Sequence, residues 1–381
     1  MKTNTNITQI GKDIYVFAIT GGPCGGKTSG LALLKKEFEA RGYVVLIVPE
    51  AATNIIGAGV FHGESHLPPK EFQKLILQYA LMQEELFLQT AMQYRDMGKK
   101  VVVFCDRGLL DGEAYVSSDE FTEVLDGFGY TRVELSEYRY HGVYFLQSVA
   151  VGRPDLYTTK NNESRTEDVA GAQLLDCRTQ EVWHSHPHFR LFGNDTDFET
   201  KLRKLYVEVS AQIGDPVPIE RERKFLVSSV DLSSITELHS VADITQTYLH
   251  TDAPDEVVRV RRRESSFGIS YYYTHKKHIS SGESLEDERI ISRREYDEFL
   301  ALRDQTRSPV RKKRISFHWN GGFYEIDFFM EPEKHKNLIL LEVERPEKSD
   351  MSAPVVIPPF VKVASEVTDD PMYSNYMLST L

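Results

Sequence analysis

Three sets of residues in the chain have the types and spacing to handle phosphate. The first is Gly21-Gly22-Pro23-Cys24-Gly25-Gly26-Lys27-Thr28, with Ser29 beside it, which fits G-x-x-x-x-G-K-[ST] at every fixed position. Glycines let such a loop turn its amide N–H groups inward around an anion, and a helix beginning there points its positive end at the same charge. Lys27 would reach the β- and γ-phosphates of a nucleotide, and the Thr28 hydroxyl would ligate Mg²⁺. The second set is Glu50 and the run Asp106-Arg107-Gly108, each at the end of an apolar stretch. Asp106 stands where an acid would organise Mg²⁺, and Arg107 would bind phosphate or substrate. Glu50 has two readings, a base that takes a proton from an acceptor hydroxyl or an acid that caps the helix beginning near Ala51. The third set is a series of charges at alternate positions: Glu220, Glu222 and Lys224; Arg259, Arg261 and Arg263; Thr274 and Lys276; Glu286 and Glu288; Lys312 and Arg314; Glu325 and Asp327; Glu342 and Glu344.

The first two sets need a parallel α/β sheet to bring them together. Residues 14–19, 43–48 and 101–105 are continuous apolar runs of the kind that form strands buried on both faces, and 140–146 reads as a fourth. The carboxyl ends of such strands line the ligand crevice, so Glu50 and Asp106 are expected to face the same cleft as Lys27. Helical spacing follows the glycine-rich loop from Leu31 to Ala40. It recurs from Glu71 to Tyr94 through Leu75, Tyr79, Met82, Leu86 and Met92, and from Asp197 to Ile213 through Phe198, Leu202, Leu205, Val209 and Ile213. Arg153 and the polar stretch 158–167, with Arg165, have the character of a lid that reaches transferring phosphates or of a solvated loop. His184, His186 and His188 alternate, but Pro187 favours an irregular loop and no acid or cysteine adjoins them. Cys24 suits a tight turn, and a helix N-terminus beside it favours a thiolate.

The third set needs a different scaffold. Residues 214–218, Gly-Asp-Pro-Val-Pro, form the clearest linker, giving expected domains of 1–213 and 217–381. Alternation along a strand puts the charges on one face and Val258, Val260, Ile326 and Val343 on the other. A half-buried sheet accounts for any one such strand. A closed antiparallel barrel, apolar outside, with opposed acidic and basic rows lining a wet interior, accounts for all seven together. Basic rows would hold a polyanion and acidic rows its divalent cations. Residues 292–303 read as a helix outside or plugging the barrel, capped by Ser292.

Composition bounds the rest. The chain has 381 residues, is 41% hydrophobic, and carries 45 basic and 57 acidic side chains for a net charge of −12, which offers a nucleic-acid partner no general attraction. Three widely spaced cysteines are neither a disulfide framework nor a zinc pattern, so a reducing cytoplasmic setting is expected. The first residues lack the apolar core of a signal peptide and no stretch approaches 18 apolar residues, so membrane contact is expected to be peripheral at most.

These motifs resemble known families. Gly21–Thr28, Pro49-Glu50 and Asp106-Arg107-Gly108 are similar to the phosphate loop, second-strand acid and third-strand acid–arginine pair of P-loop ATPase and kinase-like domains, the group that includes ribosylnicotinamide kinase domains. Glu220-x-Glu222-x-Lys224 is the signature of the CYTH, or triphosphate tunnel metalloenzyme, domain, and Glu366-Val367-Thr368 with Tyr373-Ser374-Asn375 resembles its closing segment. That resemblance implies a tunnel of about eight strands. Lys224, Arg259, Arg261, Lys276, Lys312 and Arg314 would be its phosphate ligands; Glu220, Glu222, Glu342 and Glu344, with Glu325 and Asp327, would hold Mg²⁺ or Mn²⁺. The order of the two domains resembles the TRPL translocation defect protein family, which implies GTP binding in the first domain, phosphoinositide binding in the second and a role in vesicular trafficking. Guanine-reading residues of the Asn-Lys-x-Asp type are absent from the sequence, so the preference for GTP rests on the resemblance, and the expected nucleotide is GTP or, second, ATP. The leading expectation is a nucleotide-binding regulatory protein with a head-group-binding tunnel. The alternatives are a metal-dependent triphosphatase in the tunnel, or a small-molecule kinase using Lys27, Glu50 and Arg107.

Overall fold

The computed structural model describes residues 5–157, 168–215, 219–251, 253, 256–280, 283–344, 354–368 and 370–381. Spatial clustering divides the chain into Met1–Tyr206 and Val207–Leu381, a division that falls within one helix.

The first unit is an α/β domain. In chain order it comprises β1 (Ile14–Thr20), α1 (Lys27–Ala40), β2 (Val44–Val48), α2 (Ala51–Gly57), α3 (Pro69–Asp96), β3 (Val101–Asp106), α4 (Ser118–Phe128), α5 (Arg132–Leu135), β4 (Gly142–Leu146), α6 (Val169–Trp183), β5 (Phe189–Phe192) and the start of α7 (Phe198–Ile213). The strands form one parallel sheet in the order β2-β3-β1-β4-β5. Residues of β1, β3 and β4 are buried almost throughout, as expected of strands covered on both faces.

Two helical expectations change. On α3 the covered face is Phe72, Leu77, Leu81, Leu88 and Ala91, while Met82 and Leu86 are 62% exposed. The reason is polar: Glu84 lies on the covered face, where it accepts hydrogen bonds from Arg139 Nε and the Tyr140 hydroxyl, both at 2.6 Å. This network places an acid where the apolar pattern expects none and leaves the buried Arg139 Nη2 without a partner among the described residues. On α7, Leu205, Val209 and Ile213 are buried but Phe198 is half exposed.

The second unit is a closed antiparallel barrel. It holds β6 (Ile219–Val230), β7 (His239–Tyr248), β8 (Glu256–Ser265), β9 (Gly268–Ser280), β10 (Glu283–Ile291), α8 (Arg293–Leu300), β11 (Val310–Trp319), β12 (Gly322–Glu331), β13 (Ile339–Glu344), β14 (Val361–Glu366) and α9 (Asn375–Leu378). The order β10-β9-β8-β7-β11-β12-β13-β6 closes where Glu283–Leu285 pair with Ile219–Arg221, and β14 pairs with the later part of β6. Closure removes the exposed sheet edge that an open array of this length would present. Apolar residues on the outer faces of β6, β11, β12 and β13, among them Phe225, Ile315, Phe317, Ile326 and Leu341, pack under Phe360 and Val361. Helix α8 lies outside the barrel, with Tyr296 against Tyr271 and Phe299 against Tyr273 at ring separations of 4.7 and 4.9 Å. Its N-terminus is the expected cap: Ser292 accepts from Glu295 N and the Glu295 carboxylate answers to Ser292 N.

Candidate phosphate-binding sites

The glycine-rich loop joins β1 to α1. Gly21, Cys24 and Gly26 have φ of 133°, 57° and 99°, so three backbone units adopt conformations that glycine takes freely and Cys24 takes as a tight turn. Gly22 is required for a different reason, since a Cβ there would lie 2.3 Å from Asp176 Oδ1. Asp176, on the buried stripe of α6, accepts from Gly22 N at 3.0 Å and from Ser148 N at 2.7 Å. The Ser148 hydroxyl donates to Pro23 O. The loop is therefore tied from behind to the segment after β4. Burial pushes the Asp176 carboxyl up to about 6 against these two amide bonds. Lys201, equally buried, donates to Gln147 O and Asn194 Oδ1 and is lowered to about 8 by burial.

Lys27 turns back across the loop and donates to Gly21 O and Gly22 O, both at 2.9 Å. Burial, with the Arg107 charge beside it, lowers Lys27 to about 7. Thr28 and Ser29 are exposed at the start of α1. Arg107, with φ of 84°, donates through Nε to Glu50 Oε1 at 3.1 Å and through Nη1 to Gly21 O at 2.7 Å. Glu50 occupies the N-cap position of α2 without a side-chain cap bond; its second oxygen accepts from Thr53 Oγ1 at 2.6 Å. Burial opposes the charge on Glu50, but Arg107, Thr53 and Lys27 hold its carboxyl below the usual value. Asp106 is shifted up, by burial and then by Glu50. The chain thus brings Lys27, Glu50, Asp106 and Arg107 to the carboxyl edge of one sheet. Arg153 stands apart, exposed and paired with Asp155 at 3.3 Å, and Arg165 lies outside the described residues.

Asp111 escaped sequence reasoning. It accepts from Thr20 Oγ1 at 2.6 Å and Trp183 Nε1 at 2.7 Å and lies 3.4 Å from Arg107 Nη1, so it joins the end of β1, α6 and the arginine. Trp183 also accounts for Gly108, where a Cβ would lie 2.3 Å from the indole. Asp176 and Lys201 were missed too. The only sequence signal for Asp176 is helical period, which places it on the stripe of Ala172, Leu175, Thr179 and Val182.

In the barrel, acids and bases share the inner face, but as contacts rather than as walls facing across water. Arg314 donates to Asp327 Oδ1 through Nε and to Glu342 Oε2 through Nη2, both at 2.7 Å, and also reaches Glu325. Lys312 bonds Asp327, and both side chains are fully buried. Lys224 lies 3.0 Å from Glu342 and 3.4 Å from Glu222. Across the barrel Arg261 meets Glu288 at 2.7 Å, and Glu286 lies between Arg259 at 3.6 Å and Lys276 at 3.3 Å. The groups do not all respond alike: burial and then the Arg314 charge lower Lys312, and burial raises Glu325. Burial opposes ionisation of Lys224, but Glu222 and Glu342 carry it above its ordinary value, while Lys224, Lys312 and Arg314 hold Glu342 well below the carboxylate range against the effect of burial. Glu344 is in register with Glu222, and Glu220 is placed on β6 beside Ser284. One end of the interior is apolar: Tyr248, Val310, Phe329 and Leu340 pack with Val367 and Leu378.

The donors suit a hard divalent cation, carboxylate oxygens in the barrel and the Thr28 hydroxyl with Asp106 at the loop. Among the described residues no three His, Cys, Asp or Glu side chains form a ready cage, because the barrel carboxylates are engaged by lysine and arginine. No helix among the described residues is long and apolar enough to cross a membrane.

A family model described as an AAA domain matches residues 16–201, from β1 to the start of α7. No curated protein matches the chain. Among solved structures, the inorganic triphosphatase NE1496 is 27% identical, with 42% of this chain and 93% of that chain covered and a TM-score of 0.29. The PH1819 protein from Pyrococcus horikoshii OT3 is 17% identical over 34% of this chain and 80% of that chain, with a TM-score of 0.28.

Proposed function

We propose that the chain holds a nucleoside triphosphate, GTP or ATP, on the loop Gly21–Thr28 and hydrolyses a triphosphate, inorganic or nucleoside, inside the barrel, with domain limits at 1–213 and 217–381. The observation that carries this reading is the inner face of the barrel, where Lys224, Arg259, Arg261, Lys276, Lys312 and Arg314 are all held by carboxylates one or two strands away in the sheet. Such cations are already ordered, so a polyanion gains charge-assisted hydrogen bonds at small cost in side-chain freedom. Phosphate oxygens would take the place of carboxylate oxygens on the arginines and lysines. Glu222, Glu325, Asp327 and Glu342 would then be released and, with Glu220 and Glu344, would hold Mg²⁺ or Mn²⁺. A bound divalent cation supplies further charge neutralisation and an activated water. The arginines and lysines stabilise the charge that develops on the transferred phosphoryl group.

At the loop, Lys27 would exchange two backbone carbonyls for phosphate oxygens, and Arg107, fixed by Glu50, would contribute a second cation. The AAA-domain match over 16–201 supports this half of the reading. A phosphorus NMR time course with Mg²⁺ and tripolyphosphate, GTP or ATP tests the whole. Turnover of tripolyphosphate is expected in wild type and Lys27→Ala and is expected to vanish in Glu222→Gln. Turnover that persists in Glu222→Gln would remove the barrel from the chemistry. If no phosphate is released and the ligand still binds, multiply phosphorylated lipid head groups become the ligands to test, with membrane trafficking as the setting.

A further inference from the structure

Phe198 departs from its helix's pattern in a way that bears on the loop. It opens α7, directly after β5 and the segment 193–197, and so lies at the carboxyl edge of the parallel sheet with the glycine-rich loop, Glu50 and Asp106. It is 50% exposed in a unit whose other phenylalanines, Phe61 apart, are buried or partly buried. Phe61 has the ring of His66 at 5.5 Å, whereas Phe198 meets no other ring among the described residues. The Cε2–Cζ edge of Phe198 rests on Gly26: a Cβ there would lie 2.6 and 3.1 Å from these atoms. Gly26 immediately precedes Lys27, so the ring lies beside the part of the loop that would hold phosphate. Two residues earlier, Thr196 Oγ1 is buried with no hydrogen-bond partner among the described residues.

We propose that Phe198 is the stacking platform for the base of a purine nucleotide whose phosphates sit in the loop, with Thr196 supplying a polar contact from the same segment. This inference rests on the loop's being a nucleotide site. An exposed aromatic face gains most from a second π surface, and purines offer the larger one. Gly26 fits the same picture, since any side chain there would displace the ring.

Equilibrium dialysis of the full chain with ATP, GTP, CTP, UTP and tripolyphosphate, each read as the part of binding lost in Lys27→Ala, tests the inference. Phe198→Ala is expected to weaken ATP and GTP by about 10- to 100-fold, the worth of one base–aromatic stack. It should leave tripolyphosphate unchanged and reduce the preference for purines over CTP and UTP, while Phe198→Trp restores it. Phe198→Leu, which keeps apolar bulk against Gly26, should lose the same preference and guards against an alanine variant that folds poorly. Equal weakening of tripolyphosphate and nucleotides would mean the ring only shapes the loop, and unchanged ATP and GTP affinity in Phe198→Leu would overturn the stacking. If Lys27→Ala removes no part of the nucleotide binding, the loop reading is overturned, and this inference with it.

Discussion

The two units prepare for phosphate in opposite ways. At the loop the positive potential comes from backbone amides and a helix N-terminus together with Lys27 and Arg107, and many of the supporting atoms are carbonyls and amides: Gly21 O and Gly22 O for Lys27, Gly22 N and Ser148 N for Asp176. In the barrel it comes from long cationic side chains, each already neutralised by a carboxylate. A backbone site depends on conformation, so its weak points are glycines and the groups that brace them. A side-chain site depends on charge balance, so its weak points are single members of ion pairs, which become uncompensated charges when a partner is removed.

The comparison breaks most visibly at Asp327, which holds both Lys312 and Arg314 in the barrel. Asp327→Ala is expected to cost about 3–5 kcal/mol, the range for breaking a buried pair, read as a large fall in the denaturation midpoint of the barrel. Nucleotide binding at the loop should persist. A loss within about 0.5 kcal/mol, the range of ordinary surface substitutions, would show that the barrel charges are solvated rather than interdependent. Lys27→Ala is expected to remove about 3 kcal/mol or more of nucleotide affinity, over 100-fold by calorimetry, while the barrel's affinity for tripolyphosphate stays put.

Bracing of the loop is a smaller effect. Asp176→Ala leaves two buried amides without an acceptor and is expected to cost about 1–3 kcal/mol. Asp176→Asn keeps an acceptor oxygen and should fall nearer wild type in both thermal stability and nucleotide affinity. Equal losses in the two variants would point to the charge of Asp176 rather than its hydrogen bonds.

The pH dependence separates the units again. Lys27 in the free fold titrates at about 7, below its ordinary 10.5. Between these values the fold binds fewer protons than the unfolded chain, so this group's contribution to stability rises with pH. An incoming phosphate favours the charged amine, so binding at the loop takes up a proton above pH 7, and affinity falls as pH rises through that value. Calorimetry in buffers of different ionisation heats should detect the uptake for nucleotide in wild type and lose it in Lys27→Ala.

The sequence discloses these two regions unequally. The loop is a local motif, and short apolar strands announce the sheet, so Lys27, Glu50, Asp106 and Arg107 fall together as their strand positions imply. The roles of Asp111 and Asp176 are not legible because their partners are distant in sequence, the Thr20 and Trp183 side chains for Asp111 and the Gly22 and Ser148 amides for Asp176. On α3, Met82 and Leu86 satisfied a helical period, but burial follows Glu84 and its bonds to Arg139 and Tyr140. In the barrel, period-two charge rows are legible strand by strand. The contacts between rows are not, because they depend on register between strands as far apart in sequence as β6 and β13.

Two independent phosphate centres should be separable in a binding-stoichiometry measurement on the full chain. Isothermal titration with GTP and with tripolyphosphate would be run on wild type, Lys27→Ala and Arg259→Glu/Arg261→Glu. The account predicts that each variant loses one class of site and retains the other at wild-type affinity. One substitution that abolishes both, or a wild type with a single class of site for both ligands, would contradict it.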